Sequence, residues 1–468
     1  MTVDRTALLE QMQRIFKPRA VAVVGASSTP GKLGFAIVQN LKDGGFKGNV
    51  YPVNPGSEEI LGLPCYKSVE DLPDDTDVAV VSIPAAGVAG LVPMAAAKGI
   101  TALVVISSGF AEIGEREMQQ DLIGLAREHG VRILGPNIYG YYYTHSGLCA
   151  TFCTPYTEKG GVALVSQSGG VGMAILGYSR SRRMGVSAIV GLGNKSDVDE
   201  DDLLEFFGSD PNTEVVAIHM EDVKDGKAFL EAARRVTKTK PVVVLKAGRT
   251  SLGARAAASH TAALAGEDRV YDAAFTQSGV IRAKTLEELL DWARALQMLP
   301  APQGEDVVII TGAGGLGVLL ADACHDRGLN LMDIPPDLDE KFKSFIPPFG
   351  AAGNPIDITG GEPPDTYRQA ILVGLEDPRV HALIIGYWHT IITPPMVFAE
   401  VMAKAMEEAR AKGIHKPVVA ALAGDTEVEE AARYLEDRGI PAYPYAAEKA
   451  VHALAAKYQF WRYSNAED

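Results

Sequence analysis

An α/β fold built on parallel sheets and divided into three domains is predicted by two observations, an alternation of strand-like and helix-like segments and an internal repeat. Short β-branched runs, VAVVG from 21, VAVVSIP from 78, ALVVISSG from 102 and VRILGPN from 131, alternate with alanine- and leucine-rich stretches of helical length. This is the pattern of βαβ units whose strands are buried on both faces. The alternation runs the whole length, and its punctuation changes near residue 148 and in the loop LPAPQGED at 299–306. Domains at 1–148, 149–300 and 301–468 are therefore expected.

The repeat lies in the second and third of these. VALVSQSGGVG from 162 recurs as VVIITGAGGLG from 307, so that Ser166 matches Thr311 and Gly169 matches Gly314. Gly193 to Asp197 then matches Gly353 to Asp357, Asp210-Pro211 matches Asp377-Pro378, and KPVVVLKAG from 240 matches KPVVAALAG from 416. Four blocks in one order mark a duplicated domain. The copies differ where chemistry would reside. The first carries Glu221 after VVAIHM and His260 in SHTAALAG; the second has no acid in HALIIGYWHT and no histidine in AGDTEVEEAARYLEDRG, which follows its KPVV strand.

Composition excludes several classes. The chain has 468 residues, 47% hydrophobic and 22% charged, as in ordinary globular proteins. A net charge of -15 argues against nucleic acid or an anionic membrane as the main partner, while leaving room for a local basic pocket. Four scattered cysteines form no disulfide framework, and the N-terminus has no signal-peptide core. A reducing, cytoplasmic setting without a membrane span is expected.

The first strand ends in Gly25, followed by Ser27, Ser28, Gly31 and Lys32 before a helix. Such a loop lets backbone N–H groups approach a phosphate at the positive helix end. Its spacing is not GxGxxG, and the second strand ends at Asn54 instead of the acid that would hold an NAD ribose, so a dehydrogenase is disfavoured. Loops at Ser82 to Ala85, with Pro84, at Ser107 to Glu112, with Ser108 and Gly109, and at Gly135 to Asn137 follow further strands and are expected to line one crevice. Each also fits a plain turn. Ser168, Gly169 and Gly170 open a helix and form an anion seat, or simply a helix cap. His260 is a nucleophile for covalent catalysis or a structural histidine; Glu221, ending a neighbouring strand, is placed to orient its ring. No HExxH, paired CxxC or Ser-His-Asp order is present, and no metal site is expected.

GASSTPGKLG, VNPGSEEILGLPCYKSVEDLP, SIPA, SSGFAEIG, GPN, VSQSGG, GLGNKSDVDEDDLLEFF, EDVKDG and GRT-to-SHTAALAG occur in this order. Together they resemble the succinyl-CoA synthetase α subunit and, more closely, the α part of ADP-forming acyl-CoA synthetases of the acetate–CoA ligase group. The resemblance implies an N-terminal Rossmann-like CoA-binding domain followed by two flavodoxin-like, succinyl-CoA synthetase-like domains. It implies an ADP-forming acid–CoA ligase in which ATP phosphorylates the enzyme, the phosphoryl group activates a carboxylic acid as an acyl phosphate, and CoA displaces phosphate. By motif, His260 matches the phosphohistidine, Glu221 the acid that holds it, and Ser168, Gly169 and Gly170 the phosphoryl loop. Gly25, Ser27, Ser28, Lys32, Asn54 and Pro84 fall in CoA-holding loops, and Ser108, Gly109 and Asn137 near the thiol and acyl group.

Two departures stand out. After Gly135-Pro136-Asn137 the family continues with Cys and small or aliphatic residues, whereas here Ile138-Tyr139-Gly140-Tyr141-Tyr142-Tyr143 follows. Either a larger, aromatic or tyrosine-bonded acid is expected, or these tyrosines pack against the next domain. No Walker-type loop is present. ATP and Mg2+ are accordingly expected on a separate ATP-grasp β subunit, in an α2β2 assembly. A non-catalytic CoA-binding regulatory protein is the alternative, disfavoured by His260 and Glu221.

Overall fold

The structure of the chain, a computed structural model, describes residues 5–156, 158–261 and 267–466, with side chains for all of these except 257–261. The His260 side chain therefore lies outside the described residues. The chain divides into two compact units, Met1–Leu290 and Asp291–Asp468.

The first unit holds two main sheets. Helix α1 (Arg5–Phe16) precedes β1 (Ala20–Val24), α2 (Leu33–Asp43) and β2 (Asn49–Val53); a small hairpin of β3 (Glu59–Ile60) and β4 (Leu63–Pro64) follows. Next come β5 (Thr76–Val81), α3 (Leu91–Ala97), β6 (Ala102–Val105), α4 (Arg116–His129) and β7 (Arg132–Leu134). The sheet is parallel in the order β2-β1-β5-β6-β7. Strands β1, β5 and β6 are buried at every residue, which is why they read as apolar runs rich in Val and Ala, AVAVV, VAVV after Thr76-Asp77, and ALVV. The order turns back between β1 and β5, so the loops there part and leave a crevice at the strands' carboxyl ends.

The second sheet begins with an antiparallel hairpin, β8 (Gly140–Tyr143) and β9 (Leu148–Thr151). There follow β10 (Lys159–Ser166), α5 (Gly169–Ser181), β11 (Val186–Gly191), α6 (Glu200–Ser209), β12 (Val215–Met220), α7 (Gly226–Thr237), β13 (Val242–Lys246), α8 (Ser251–Thr261), α9 (Asp268–Gln277) and β14 (Ile281–Ala283). Its order is β14-β13-β12-β10-β11-β8-β9, parallel except where β8 joins β11. The hairpin spans the region around residue 148 and belongs by hydrogen bonding to this second sheet. Phe16 of α1 stacks on Phe206 of α6 at 4.6 Å, and Arg132 of β7 pairs with Asp197 and Asp202 at 2.8 and 2.6 Å, tying the two sheets into one body.

Helix α10 (Leu286–Met298) contains the division between the units. The second unit carries β15 (Asp306–Thr311), α11 (Gly314–Asp326), β16 (Asn330–Leu331), β17 (Ile356–Asp357), β18 (Ala382–Trp388), β19 (Val418–Ala423) and β20 (Ala442–Pro444). Its parallel order β16-β15-β18-β19-β20 reproduces β11-β10-β12-β13-β14 strand for strand. The duplication extends to single bonds: Lys240 donates to the Asp210 carbonyl and Lys416 to the Asp377 carbonyl, both at 2.7 Å. Ser166 Oγ donates to the Ser168 carbonyl, as Thr311 Oγ1 does to that of Ala313. Strand registers pair Ser166 with His219 and Thr311 with Gly386, which makes Trp388 the counterpart of Glu221. Among the described residues no helix is long and apolar enough to cross a membrane.

Candidate active site

Two cavities lie at the carboxyl ends of the first unit's strands. The smaller, of about 400 Å³, is lined by Gly25, Asn54, Lys67 and Ser68 and by the apolar side chains of Val24, Val53, Ile83, Leu91 and Met94. Gly25 has φ +89°, and a Cβ there would stand 2.9 Å from the Ser82 carbonyl oxygen, so only glycine brings the backbone this close. Asn54 is fixed by its side chain, which donates to the Ala26 carbonyl at 2.7 Å and accepts from the Gly56 N–H at 2.8 Å. Ser27 Oγ accepts from the Thr29 N–H at 3.1 Å; Ser28 and Lys32 are exposed on the same loop, outside the lining of either cavity.

The larger cavity, of about 850 Å³, joins the two sheets. Pro84, Ser108 and Asn137 come from the first sheet, Ser168, Gly169, Gly170 and Glu221 from the second; Ile83 borders both cavities. Asn137 sits at φ +62°, its N–H donating to the Ser107 carbonyl at 3.0 Å. Gly109 is not a lining residue, but its N–H donates to Glu112 Oε1, and Phe110 donates to the same carboxylate. Asn194 completes this cluster, donating to Glu112 Oε2 at 2.6 Å and Gln119 Oε1 at 2.9 Å. Burial pushes the Glu112 carboxyl up, but the Asn194 amide and these backbone donors outweigh it and hold the group below its ordinary range.

The second sheet supplies a helix N terminus and a carboxylate. Ser168 caps α5 with extended backbone and no side-chain cap bond, and Gly169 and Gly170 are exposed. The first-turn N–H groups thus point outward at the positive end of the helix dipole. No Lys or Arg lines this cavity among the described residues, so those N–H groups are its attraction for an anion. Glu221 is 8% exposed, and its Oε2 meets no hydrogen-bond partner among the described residues. A buried, unpaired carboxylate oxygen in a cavity wall calls for a donor brought by something else. Behind it runs a polar chain. Gln167 Oε1 accepts the Glu221 N–H, Gln167 Nε2 donates to Asp222, and buried Lys195 bridges Asp222 and both Glu200 oxygens at 2.9 to 3.0 Å.

The backbone of α8, whose penultimate residue is His260, passes beside the turn Ala111–Ile113 that carries Glu112. Several lining residues escaped the sequence reading. Gln167 stands in VSQSGG and Asn194 in a repeat block, neither with an expected role, and Phe152, Cys153 and Met173 carry no local signal; Glu112 lies in a loop expected to line the crevice.

Three families match successive parts of the chain: CoA binding domain at residues 19–144, succinyl-CoA ligase like flavodoxin domain at 159–296, and ligase-CoA domain at 307–466. The α subunit of acetate–CoA ligase [ADP-forming] I from Pyrococcus furiosus is 46% identical over 464 residues, covering 97% of this chain and 99% of its own. Acetate–CoA ligase [ADP-forming] from Methanocaldococcus jannaschii is 40% identical over 450 residues, covering 96% of this chain but 63% of its own. The structure of Korarchaeum cryptofilum dinucleotide-forming acetyl-coenzyme A synthetase 1, in complex with phosphate and ADP, superposes with a TM-score of 0.94 at 44% identity, covering 97% of each chain.

Proposed function

This chain belongs to the family of ADP-forming acetate–CoA ligase α subunits, and from that premise we propose that the larger cavity is where its phosphoryl and acyl transfers take place. The observation that carries the reading is the meeting, in one cavity, of an outward-pointing helix N terminus and a buried carboxylate oxygen in want of a donor.

In this reading His260 carries the phosphoryl group, Glu221 accepts an N–H of its ring, and the N–H groups of Ser168, Gly169 and Gly170 hold the dianion. An acid's carboxylate oxygen attacks phosphorus as the P–N bond breaks, giving an acyl phosphate. The CoA thiolate then attacks the acyl carbon, and inorganic phosphate leaves. CoA is a substrate. Its nucleotide lies by Gly25, Ser27, Ser28, Lys32 and Asn54, its arm passes Ile83 and Pro84, and its thiol reaches Ser108, Gly109 and Asn137. ATP and Mg2+ sit on an ATP-grasp β subunit in an α2β2 assembly. The subunit name of the Pyrococcus relative and the longer chain of the Methanocaldococcus one support such a partner. The three-domain division and a cytoplasmic setting belong to the same reading.

Incubating the α–β complex with γ-labelled ATP should place acid-labile, base-stable label on this chain. His260→Ala should abolish both the label and thioester formation; a variant that keeps both removes the assignment. The regulatory alternative is not favoured, since the relatives that match along the whole chain are ligases.

A further inference from the structure

The tyrosines after Asn137 divide into two groups. Tyr141, Tyr142 and Tyr143 lie on β8, and each hydroxyl has a partner within the protein: the Ile15 carbonyl at 2.8 Å, the Thr154 carbonyl at 2.9 Å and the Asp210 carboxylate at 3.0 Å. These three are packing residues. Tyr139 precedes the strand and lines the larger cavity; it is 4% exposed, and its hydroxyl meets no partner among the described residues. Its ring rests on two bare backbones. A Cβ on Gly172 of α5 would stand 2.4 Å from Tyr139 Cε1, and one on Gly191 at the end of β11 would stand 3.0 Å from the same atom.

We infer that Tyr139 is the specificity-determining residue of the acyl site, its ring forming the wall where the acid's tail ends, so that short monocarboxylic acids fit and branched or aryl acids do not. The inference rests on the proposed seat for the phosphoryl group. Gly172 is two residues beyond Gly170 on the same helix, roughly 3 Å along the axis. In an acyl phosphate the acyl carbon is one bridging oxygen from phosphorus, so the tail starts in the cavity whose wall Tyr139 shares with Ser168, Gly169 and Gly170. Phe152, Cys153 and Met173 line the same cavity and are apolar, and no Lys or Arg lines it to receive a second carboxylate. Protein interiors are close-packed, so a ring wedged against two backbones does not swing aside for a larger tail. Tyr139 therefore narrows the cavity, against the larger or aromatic acid that is one of the two expectations for this loop, while its three neighbours pack as the other expects.

The test is the ratio of kcat/KM for isovalerate and phenylacetate to that for acetate, read as loss of CoA thiol, in the complex with its ATP-grasp partner. One methylene in an apolar pocket is worth about ten- to two-hundredfold in kcat/KM. Tyr139→Ala should raise both ratios at least about tenfold, Tyr139→Leu by less, and Tyr139→Phe should leave them unchanged, with the KM for CoA held within about twofold throughout. If Tyr139→Ala fails to fold, Tyr139→Leu decides. Ratios that stay at the wild-type value in the folded variants overturn the inference, as does a wild type that prefers phenylacetate to acetate. A rise in the KM for CoA without a change in the ratios also overturns it, because the ring would then touch the CoA arm. A wild-type complex that makes no thioester from any acid refutes the ligase site itself, and this inference with it, before any variant is made.

Discussion

Gln167 Oε1 accepts the backbone N–H of Glu221 at 2.7 Å, so the loop that leads into the anion seat also holds the strand end bearing the candidate catalytic carboxylate. Gln167 Nε2 meanwhile donates to Asp222 Oδ1 at 2.9 Å. One side chain thus sets the distance between seat and carboxylate. Displacements of about 1 Å in such sites cost up to roughly a hundredfold in rate. Gln167→Leu should lower kcat by about ten- to hundredfold while CoA affinity, measured by calorimetry, stays at the wild-type value. Equal losses in kcat and CoA affinity would show a general structural role instead.

Lys195 is 1% exposed and bridges Glu200 and Asp222. Removing one partner of a buried ion pair leaves an uncompensated charge, whereas replacing both by apolar groups costs little. Lys195→Met should lower the free energy of unfolding by about 3–5 kcal/mol in urea titrations. Adding Glu200→Leu should return part of that loss. A Lys195→Met protein as stable as wild type would contradict the ion-pair account.

His219 lies in the second sheet with Nδ1 3.3 Å from Ser166 Oγ. Burial, aided by the Lys246 ammonium, lowers its pKa from 6.5 to about 4. Between these values the unfolded chain takes up a proton that the folded chain refuses. The stabilising contribution is therefore complete above pH 6.5 and is lost as the pH falls toward 4, by roughly 3 kcal/mol. Urea midpoints measured from pH 7 down to pH 4 should fall more steeply for wild type than for His219→Gln; parallel curves would exclude this histidine as the source.

Gly172→Ala should destabilise the protein by about 1–3 kcal/mol, since the new methyl meets a rigid ring. Tyr139→Leu in the same chain should recover much of that loss in thermal unfolding. The two changes should be strongly non-additive because they share one contact; simple additivity would place the ring elsewhere.

The fold was legible because buried parallel strands write themselves as Val and Ala runs, and because duplication repeated VSQSGG as ITGAGG at the same strand end. That Glu221, Ser168 and Asn137 line one cavity was legible for the same reason, since each follows a strand at the carboxyl end of a parallel sheet. Lys195 was not, since nothing in GNKSD tells a solvated lysine from one sealed between two carboxylates. Phe152 and Met173 reach the cavity only through the meeting of two sheets, a contact that no local pattern encodes. Of the two expectations for the tyrosine run, packing holds for Tyr141, Tyr142 and Tyr143, whose hydroxyls bond within the protein; Tyr139 lines the cavity because it stands just before β8, a difference that a run of like residues does not show.

From Gly135 to Tyr143 the chain is pinned along its backbone. The Ser196 and Asn194 N–H groups donate to the Gly135 and Pro136 carbonyls at 2.9 and 3.0 Å, the Thr151 hydroxyl donates to the Tyr139 carbonyl, and the β8 ladder follows at once. An insertion anywhere in this stretch would slip the ladder by a residue and turn Tyr141 and Tyr143 out of the core. A lineage carrying this scaffold thus has one inexpensive route to a new diet of acids. It can exchange the side chain at 139, and with it the glycines beneath, but it cannot lengthen the loop; divergence here proceeds by substitution, with the register as its inheritance.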